Sequence, residues 1–419
     1  MELLYILIVL MLLGVPIAVS IGLSSLIYII VNGIPLFVVA QRMFTSVDSI
    51  ILVAIPAFIV SGAVMQVGGL AKRLAGAADA LFGKISGGFS IVAIITAAFF
   101  SAISGSTVAT TAAVGGIMIP EMNKRGYGKD YAATVAAAGG IMGVIIPPSV
   151  SMVIYSGITG TSLMKLFMAG IPVGVLMALS MIIVCYVYAK KHNLVGRTEQ
   201  LSRKEFWGQI LSAIPALGSP LIMVGGIIGG IFTPTEAAVV SIIYGIIVSV
   251  FVYKELKLKD IPRVLKESMI TSGKITYIMA AEGVLGWVFA AEQVPQQIFT
   301  AITSISSTPW VVLLIINIIL LIAGCFMETG SLLTIITPIL MPIVVSMGWS
   351  PVHFGMIMIL NLCIGNITPP LGVCLYTGAM VADTKVGAVA RKVVPFLIVN
   401  ILVLLLISYV PAIPLLFVK

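Results

Sequence analysis

Apolar residues occur in runs of about 20 along almost the whole chain, which is the length a helix needs to cross the hydrocarbon core of a bilayer. Short polar or charged segments separate these runs. The pattern predicts membrane spans over residues 1–31, 50–67, 164–189, 210–231, 237–252, 270–291 and 395–418, with interfacial helices around Arg42 and over 70–84. The chain is therefore predicted to be an all-α, polytopic membrane protein.

Two further apolar stretches carry a polar interruption near their middle. Residues 89–122 are interrupted at 104–107, and residues 310–345 are interrupted at 328–331. Each arm is only about 15 residues long, which is shorter than the roughly 20 that a crossing requires. These stretches are therefore predicted to be re-entrant hairpins that enter and leave on the same side.

Two other apolar helices are broken by glycine and proline. The first covers 131–157 and breaks at 143–149, and the second covers 352–381 and breaks at 365–370. Non-helical backbone at membrane depth leaves N–H and C=O groups unpaired, so it persists only where it lines a cavity or meets an ion. The alternative is that these breaks merely kink transmembrane helices.

The two hairpins and the two broken helices are related by a shift of 222 residues. Basic residues Lys124, Arg125 and Lys129 lie at the base of the first hairpin, whereas residues 345–351 at the base of the second contain none. Because positive loops stay in the cytoplasm, the two copies are predicted to be inverted-topology repeats. The shift superimposes Ile117 on Ile339, Pro120 on Pro342, Gly126 on Gly348, Tyr127 on Trp349, Gly143 on Gly365, and Pro147-Pro148 on Pro369-Pro370.

The repeat suggests a division of the chain into a first repeat over 1–190, a cytoplasmic linker over 191–206 and a second repeat over 207–419. Composition agrees with a chain embedded in membrane lipid, because 60% of the residues are hydrophobic and 9% are charged. The net charge of +8 arises in short loops between the apolar runs, which argues against a nucleic-acid partner.

A hairpin tip beside a helix break gathers hydroxyls and free carbonyls, which suit Na⁺, while helix N-termini suit an anion. In the first copy the predicted cation ligands are Ser104, Gly105, Ser106, Gly143, Ile146 and Pro148. In the second copy they are Thr329, Gly330, Gly365, Thr368 and Pro370. A substrate between the two tips would lie near Thr107, Ser149, Ser151, Asn366 and Thr377.

Glu282 and Glu328 are the clearest carboxylates at membrane depth. An ionised carboxylate there costs at least about 2.5 kcal/mol, so each should face a cavity, pair with a cation or be protonated. For Glu282, pairing with a neighbouring helix is an equal alternative. The sequence contains no zinc-protease, nucleophile-elbow or phosphate-loop motif, so an enzyme is not expected. An intramembrane serine hydrolase using Ser104 or Ser106 remains the alternative from a different class.

The stretch Gly-Gly-Ile-Phe-Thr-Pro-Thr-Glu-Ala-Ala over 229–238, with the two breaks, resembles the large membrane subunit of tripartite ATP-independent periplasmic (TRAP) transporters. This resemblance implies an elevator-type secondary transporter of the bacterial inner membrane that carries sialic acid or C4-dicarboxylates. It also implies Na⁺ at two or more sites, one at the first tip and break and another at the second.

The resemblance further implies two protein partners, a small four-helix membrane subunit and a periplasmic substrate-binding protein. Since the extra N-terminal helices of fused versions are not seen here, the small subunit is expected to be a separate polypeptide. A stand-alone Na⁺/dicarboxylate carrier of related fold is the alternative within membrane transport.

Overall fold

The computed structural model describes residues 2–197, 200–306 and 308–418, and within these ranges every regular element is helical. Short 3-10 or π segments adjoin several of the helices. The α-helices are α1 Glu2–Leu12, α2 Ile17–Val31, α3 Phe37–Val47, α4 Ala54–Val67, α5 Leu70–Phe82, α6 Gly88–Ser104, α7 Thr107–Lys124, α8 Lys129–Gly140, α9 Val150–Thr159, α10 Leu163–Lys191, α11 Arg203–Pro220, α12 Gly226–Ile228, α13 Pro234–Ile247, α14 Ile261–Ala291, α15 Val294–Ile305, α16 Pro309–Gly324, α17 Thr329–Ser346, α18 Pro351–Gly365, α19 Val373–Ala382 and α20 Val386–Tyr409.

The two broken helices, α8–α9 and α18–α19, lie at the centre of the molecule. In α8 every residue from Tyr131 to Gly140 is buried, and in α18 every residue from Val352 to Gly365 is buried. Small residues allow the close packing, because a Cβ added at Gly139 would lie 2.8 Å from the Cβ of Ala97 in α6. The helices that lead into both breaks are thus held among packed helices.

The two hairpins interlock the halves of the chain. α6 and α7 pair to form the first hairpin, and α7 also packs against α19 of the second broken helix. α16 and α17 form the second hairpin, and α17 also packs against α9 of the first broken helix. Each hairpin therefore reaches the break of its own half and the half-helix of the other.

The remaining helices form an outer layer. α14 packs along α2, α3 and α4, while α5 packs against α11 and α13 against α4. The predicted span over 1–31 contains α1 and α2, which separate where Gly14 takes a left-handed φ of +79° and Pro16 follows it. Among the described residues six helices are long and apolar enough to cross a membrane, or eight if two bent pairs each count as one span.

Ion pairs join α5 to the basic segments that follow α10 and α13. Arg73 of α5 pairs with Glu255, and Arg197, in the segment between α10 and α11, pairs with Asp79 of α5. The backbone N–H of Arg197 also donates to the carbonyl of Gly83 at 2.6 Å. The region predicted as a linker is therefore fixed to α5, with helix α10 extending to its first residue and α11 beginning before its end.

Candidate functional site

Both hairpin tips meet the second helix break at one side chain, Asn366. Its amide Nδ2 donates to the Thr107 hydroxyl at 3.2 Å and to the Thr329 hydroxyl at 3.1 Å. Thr107 begins α7 and Thr329 begins α17, and all three residues are fully buried. The amide therefore connects the first turns of the two re-entrant helices across the centre of the molecule.

The first tip lies in backbone contact with the first break. Gly105 reverses the chain with a left-handed φ of +61°, and the Ser106 hydroxyl then caps α7 by accepting from the Ala109 N–H at 3.4 Å. A Cβ at Gly143 would lie only 2.4 Å from the Ser106 carbonyl oxygen, and one at Gly105 would lie 3.3 Å from the Pro148 carbonyl oxygen. Only glycine at 143 permits this approach.

The contact between the first tip and the first break is rich in uncharged oxygen atoms. The Ser104 and Thr110 hydroxyls lie 2.6 Å apart. Among the described residues, the carbonyls of Ile146, Pro147 and Pro148 accept no hydrogen bond. Both Pro147-Pro148 and Pro369-Pro370 contain a cis peptide bond. Oxygen atoms of unpaired carbonyls and of hydroxyls are the ligands with which broken membrane helices coordinate Na⁺.

The second tip is built differently. The chain reverses over 325–328, so Thr329 and Gly330 form the first turn of α17 rather than the turn itself. The Glu328 carboxylate caps that helix by accepting from the Gly330 N–H at 2.9 Å. A Cβ at Gly365 would lie 2.2 Å from the carbonyl carbon of Gly324, so this tip and break are also in backbone contact.

Hydrogen bonds also connect residues of the second break to the two helices that flank it. The Cys374 N–H donates to the Asn366 carbonyl at 2.9 Å, and the Thr368 hydroxyl donates to the Ile364 carbonyl at 2.8 Å. In the described part of the chain, the carbonyls of Thr368 and Pro370 have no donor. The second break therefore also presents unpaired carbonyls beside its tip.

A cavity of about 340 Å³ lies between the two tips and the outer helices. Its lining includes no Lys, Arg or His among the described residues. Glu267 lies on the α14 segment next to the basic residues over 254–266, which the charge pattern predicts to lie on the cytoplasmic side. The polar lining residues are Gln66, Ser104, Ser106, Ser151, Glu267, Ser268, Thr271, Glu328, Ser331 and Thr334.

The structure separates the residues predicted to contact substrate. Ser151 lines the cavity. Thr107 and Asn366 are not among the lining residues and form a hydrogen bond with each other. The Ser149 hydroxyl donates to the Val144 carbonyl at 2.7 Å and caps α9. Thr377 is not among the lining residues, and its hydroxyl donates to the Val373 carbonyl at 2.9 Å.

Sequence reasoning missed three residues that position the site, Gly62, Thr110 and Gly324. A Cβ at Gly62 of α4 would lie 3.2 Å from the Ile103 carbonyl oxygen, so this glycine seats the first tip on the outer layer. Applying the 222-residue shift to glycines outside the breaks would not reveal it, because the contact joins two different layers. Gly324, in contrast, adjoins a hairpin tip that the repeat already marks.

Two re-entrant tips that meet two broken helices are typical of a multi-pass membrane transporter. Residues 4–413 match the family described as the DctM component of the tripartite ATP-independent periplasmic transporter. The chain belongs to this family, and its relatives DctM of Pseudomonas aeruginosa and SiaM of Vibrio cholerae are named as permeases and not as enzymes.

Several relatives match nearly all of this chain. It is 42% identical to the isethionate TRAP transporter permease protein DctMQ of Oleidesulfovibrio alaskensis, over 96% of this chain and 64% of that longer one. It is 39% identical to the C4-dicarboxylate large permease DctM of Pseudomonas aeruginosa, over 90% of this chain and 88% of that one. The sialic acid large permease SiaM of Vibrio cholerae is 36% identical, over 95% and 93%.

A solved structure shares the fold. The YdaH transporter of Alcanivorax borkumensis superimposes with a TM-score of 0.60 over 89% of this chain and 87% of that one, at 14% sequence identity. At that identity the likeness supports the architecture alone. It agrees with the all-α, broken-helix arrangement that the sequence predicts.

Proposed function

We propose that this permease subunit imports an organic carboxylate of the sialic acid or C4-dicarboxylate class, driven by a Na⁺ gradient. The observation that carries the proposal is the Asn366 amide, which joins Thr107 and Thr329 at the tips of both hairpins. A single buried side chain thereby makes the state of one tip depend on the other. The names of relatives at 34–39% identity support the carboxylate class and the need for partners, whereas the relative at 42% identity is named for isethionate, an organic sulfonate.

Two groups of oxygen atoms would hold Na⁺, one at each tip and break. At the first, Ser104, Gly105 and Ser106 face Gly143, Ile146 and Pro148. At the second, the ligands would come from Thr329 and Gly330 of the tip and from Gly365, Thr368 and Pro370 of the break. Bound Na⁺ would neutralise the carbonyl dipoles that the missing helical hydrogen bonds leave exposed. The backbone contact between tip and break supports this assignment, because a ligand set drawn from both would hold the tip shut.

The substrate carboxylate would bind in the central cavity near the start of α7 and α9. The N-termini of these helices carry partial positive charge, and their caps, Ser106 and Ser149, are neutral. The start of α17 is already occupied by the Glu328 carboxylate. An anion is therefore favoured beside Ser106 and Ser151 and disfavoured beside Glu328.

Transport by an elevator motion would move the hairpins and broken helices past the outer layer of α1 to α5, α11, α13 and α14. A small four-helix membrane subunit would enlarge this outer layer. A periplasmic substrate-binding protein would deliver the carboxylate at the outer ends of the helices. The position of Glu267 in the cavity lining, on the predicted cytoplasmic side, fits the stage of the cycle at which substrate is released inward.

The test is uptake into proteoliposomes that contain this chain together with its small subunit and binding protein. Radiolabelled sialic acid and succinate are supplied outside with an inward Na⁺ gradient, and a matched series replaces Na⁺ with K⁺. Uptake of at least one substrate should occur only with Na⁺. Equal uptake with K⁺ would reject the coupling.

Omitting the binding protein separates the proposal from the stand-alone carrier. The proposal requires uptake to stop without it, whereas a stand-alone carrier would continue. The hydrolase alternative is tested with a serine-reactive fluorophosphonate probe. Labelling of the wild-type chain that is lost on changing Ser104 or Ser106 to Ala would support the hydrolase instead.

A further inference from the structure

A second cavity, of about 390 Å³, lies between the outer layer and helices α9 and α17. α3 and α14 supply one wall, and residues 157–158 of α9 and Pro338 of α17 supply the other. Its deepest charged group is Glu282, nine residues before the outer end of α14 and so about 14 Å from that end. The cytoplasmic end of α14 is marked by the basic loop, so this cavity lies in the outer half of the membrane.

In the described part of the chain, one oxygen atom of the buried Glu282 carboxyl has no hydrogen-bond donor. The residue is 5% exposed, and its Oε1 atom has no hydrogen-bond partner among the described residues. The neighbouring hydroxyl is that of Thr334 in α17. This hydroxyl lies within hydrogen-bonding reach of the Glu282 carboxylate and also donates to the Ser331 carbonyl at 2.8 Å, so its one proton is shared between two acceptors. The Oε1 atom of this buried carboxyl therefore still needs a positive partner.

The groups around Glu282 make the cavity negative. Asp48, at the end of α3, lines the same cavity and is exposed, and the hydroxyls of Thr45, Ser46 and Ser49 lie beside it. α9 and α17 carry no charged residue. The basic side chain on α3 is Arg42, whose guanidinium lies over the Trp287 ring at 5.8 Å, more than one helical turn nearer the outer end.

We propose that Glu282 and Thr334 form an outer cation site that binds Na⁺ in the cavity lined by Asp48. Thr334 also lines the central cavity, so one residue separates this site from the hairpin tips. An anion would be repelled by the two carboxylates, which makes this cavity a route for cations and not for the substrate. Binding at the site stands on the cavity and on Glu282, while its role in transport rests on the proposed Na⁺ coupling.

The test is a count of bound Na⁺ on the purified full-length chain, reconstituted in nanodiscs with its small subunit and titrated with radioactive sodium. Glu282→Gln keeps the shape of the side chain but removes its charge, so it should bind one Na⁺ fewer per chain than the wild type. Glu282→Asp should keep the number. Glu121→Gln, which removes an exposed carboxylate at the cytoplasmic end of α7, is the matched control and should also keep it.

An unchanged Na⁺ count in Glu282→Gln would overturn the site, including the case in which the buried carboxyl holds a proton instead. If Glu282→Gln does not fold, Thr334→Val decides the question. It should weaken Na⁺ affinity at one site about tenfold, the size of effect typical for a partner of a metal site. Wild-type affinity at every site would then reject the proposal.

The outer site and the proposed coupling fail separately. Loss of one Na⁺ in Glu282→Gln, combined with equal wild-type uptake in Na⁺ and K⁺, would reject the coupling and keep the outer site. A wild-type count in Glu282→Gln, combined with uptake that requires Na⁺, would reject the outer site and keep the coupling.

Discussion

The two helix breaks share a sequence pattern but differ in their surroundings. Pro147 and Pro148 of the first break are buried, whereas Pro369 and Pro370 of the second are exposed. The contrast is sharpest at equivalent positions, since Ser149 is fully buried and Leu371, which is 222 residues later, is 45% exposed. The two breaks therefore share their sequence pattern but differ in how far neighbouring helices bury them.

The cover of the first break is α10. A Cβ at Gly170 would lie 2.5 Å from the Ile145 carbonyl oxygen, and one at Gly174 would lie 2.5 Å from Cγ1 of Ile146. The shift places Lys392 and Phe396 of α20 at the equivalent positions, and their side chains exclude such an approach. The first break is thus fixed by packing, while the second is left open to its surroundings.

A second difference lies at the centre. The residue equivalent to Asn366 is Val144, which has no polar side chain. Thr107 and Thr329 are equivalent to each other, yet both receive a hydrogen bond from the second break alone. The two halves are therefore coupled through one of them, and changes there should affect both tips.

The largest effect should come from adding a methyl group to the glycine at which tip and break meet in each half. Gly143→Ala and Gly365→Ala both place a methyl group within 2.5 Å of backbone atoms, which cannot move as a flexible side chain would. Each variant should lose nearly all substrate uptake in proteoliposomes while still reaching the membrane.

Gly116→Ala on α7 is the control for both, because a Cβ there would meet nothing within 4 Å. It should transport as the wild type does. If either variant at a break kept wild-type uptake, the tight contact between that tip and its break would not be needed for transport.

The next largest effect should come from Asn366→Val, which gives the second break the residue that the first has. Two hydrogen bonds disappear and two buried hydroxyls lose a donor, at about 1 kcal/mol for each bond. Uptake should fall about tenfold or more, measured as the initial rate at saturating Na⁺.

Thr329→Ser serves as the control for the Asn366 prediction because it keeps the accepting hydroxyl. It should stay within about twofold of wild type, whereas Thr329→Val should lose part of the activity. Equal rates for Asn366→Val and the wild type would show that the amide has no role in joining the tips.

The sequence predicted the helices, hairpins and breaks of both halves. Hydrophobic run lengths indicated the helices and hairpins, and glycine with proline marked both breaks within a few residues. Glu282 was correctly singled out as a carboxyl that needs a partner or a cavity. These features are local, because they depend on run length, chain reversal and the cost of a buried charge.

The environment of the breaks could not be predicted in the same way. Whether Ser149 contacts substrate or caps α9 depends on where its hydroxyl points, and its partner, the Val144 carbonyl, exists only after the break has formed. The second tip was placed at 328–331, although the chain reverses before Thr329, because Glu328 was assigned to the turn and not to a helix cap. Contacts between distant segments, such as Asn366 with Thr107, leave no trace in local patterns.

A smaller effect should appear in solvent access to equivalent cysteines. Ser149→Cys and Leu371→Cys are introduced separately into a variant whose four native cysteines, all buried, have been replaced. Leu371→Cys should react with a water-soluble maleimide at least about tenfold faster, because the thiolate must reach water to react. Similar rates would mean that the two breaks are equally covered, and that the contrast drawn from their burial is wrong.

The smallest effect should be on stability and concerns the helices that follow the breaks. Ser149 caps α9 by accepting from the Met152 N–H at 3.3 Å, whereas α19 begins after Gly372 without a side-chain cap. Ser149→Ala should therefore cost about 1 kcal/mol, the usual value of a lost N-cap. Leu371→Ala, at the equivalent and exposed position, should leave the thermal unfolding midpoint in detergent nearly unchanged. A larger loss of stability for Leu371→Ala than for Ser149→Ala would contradict this prediction. It would mean that packing holds the second break, because an exposed side chain that caps no helix should contribute little stability.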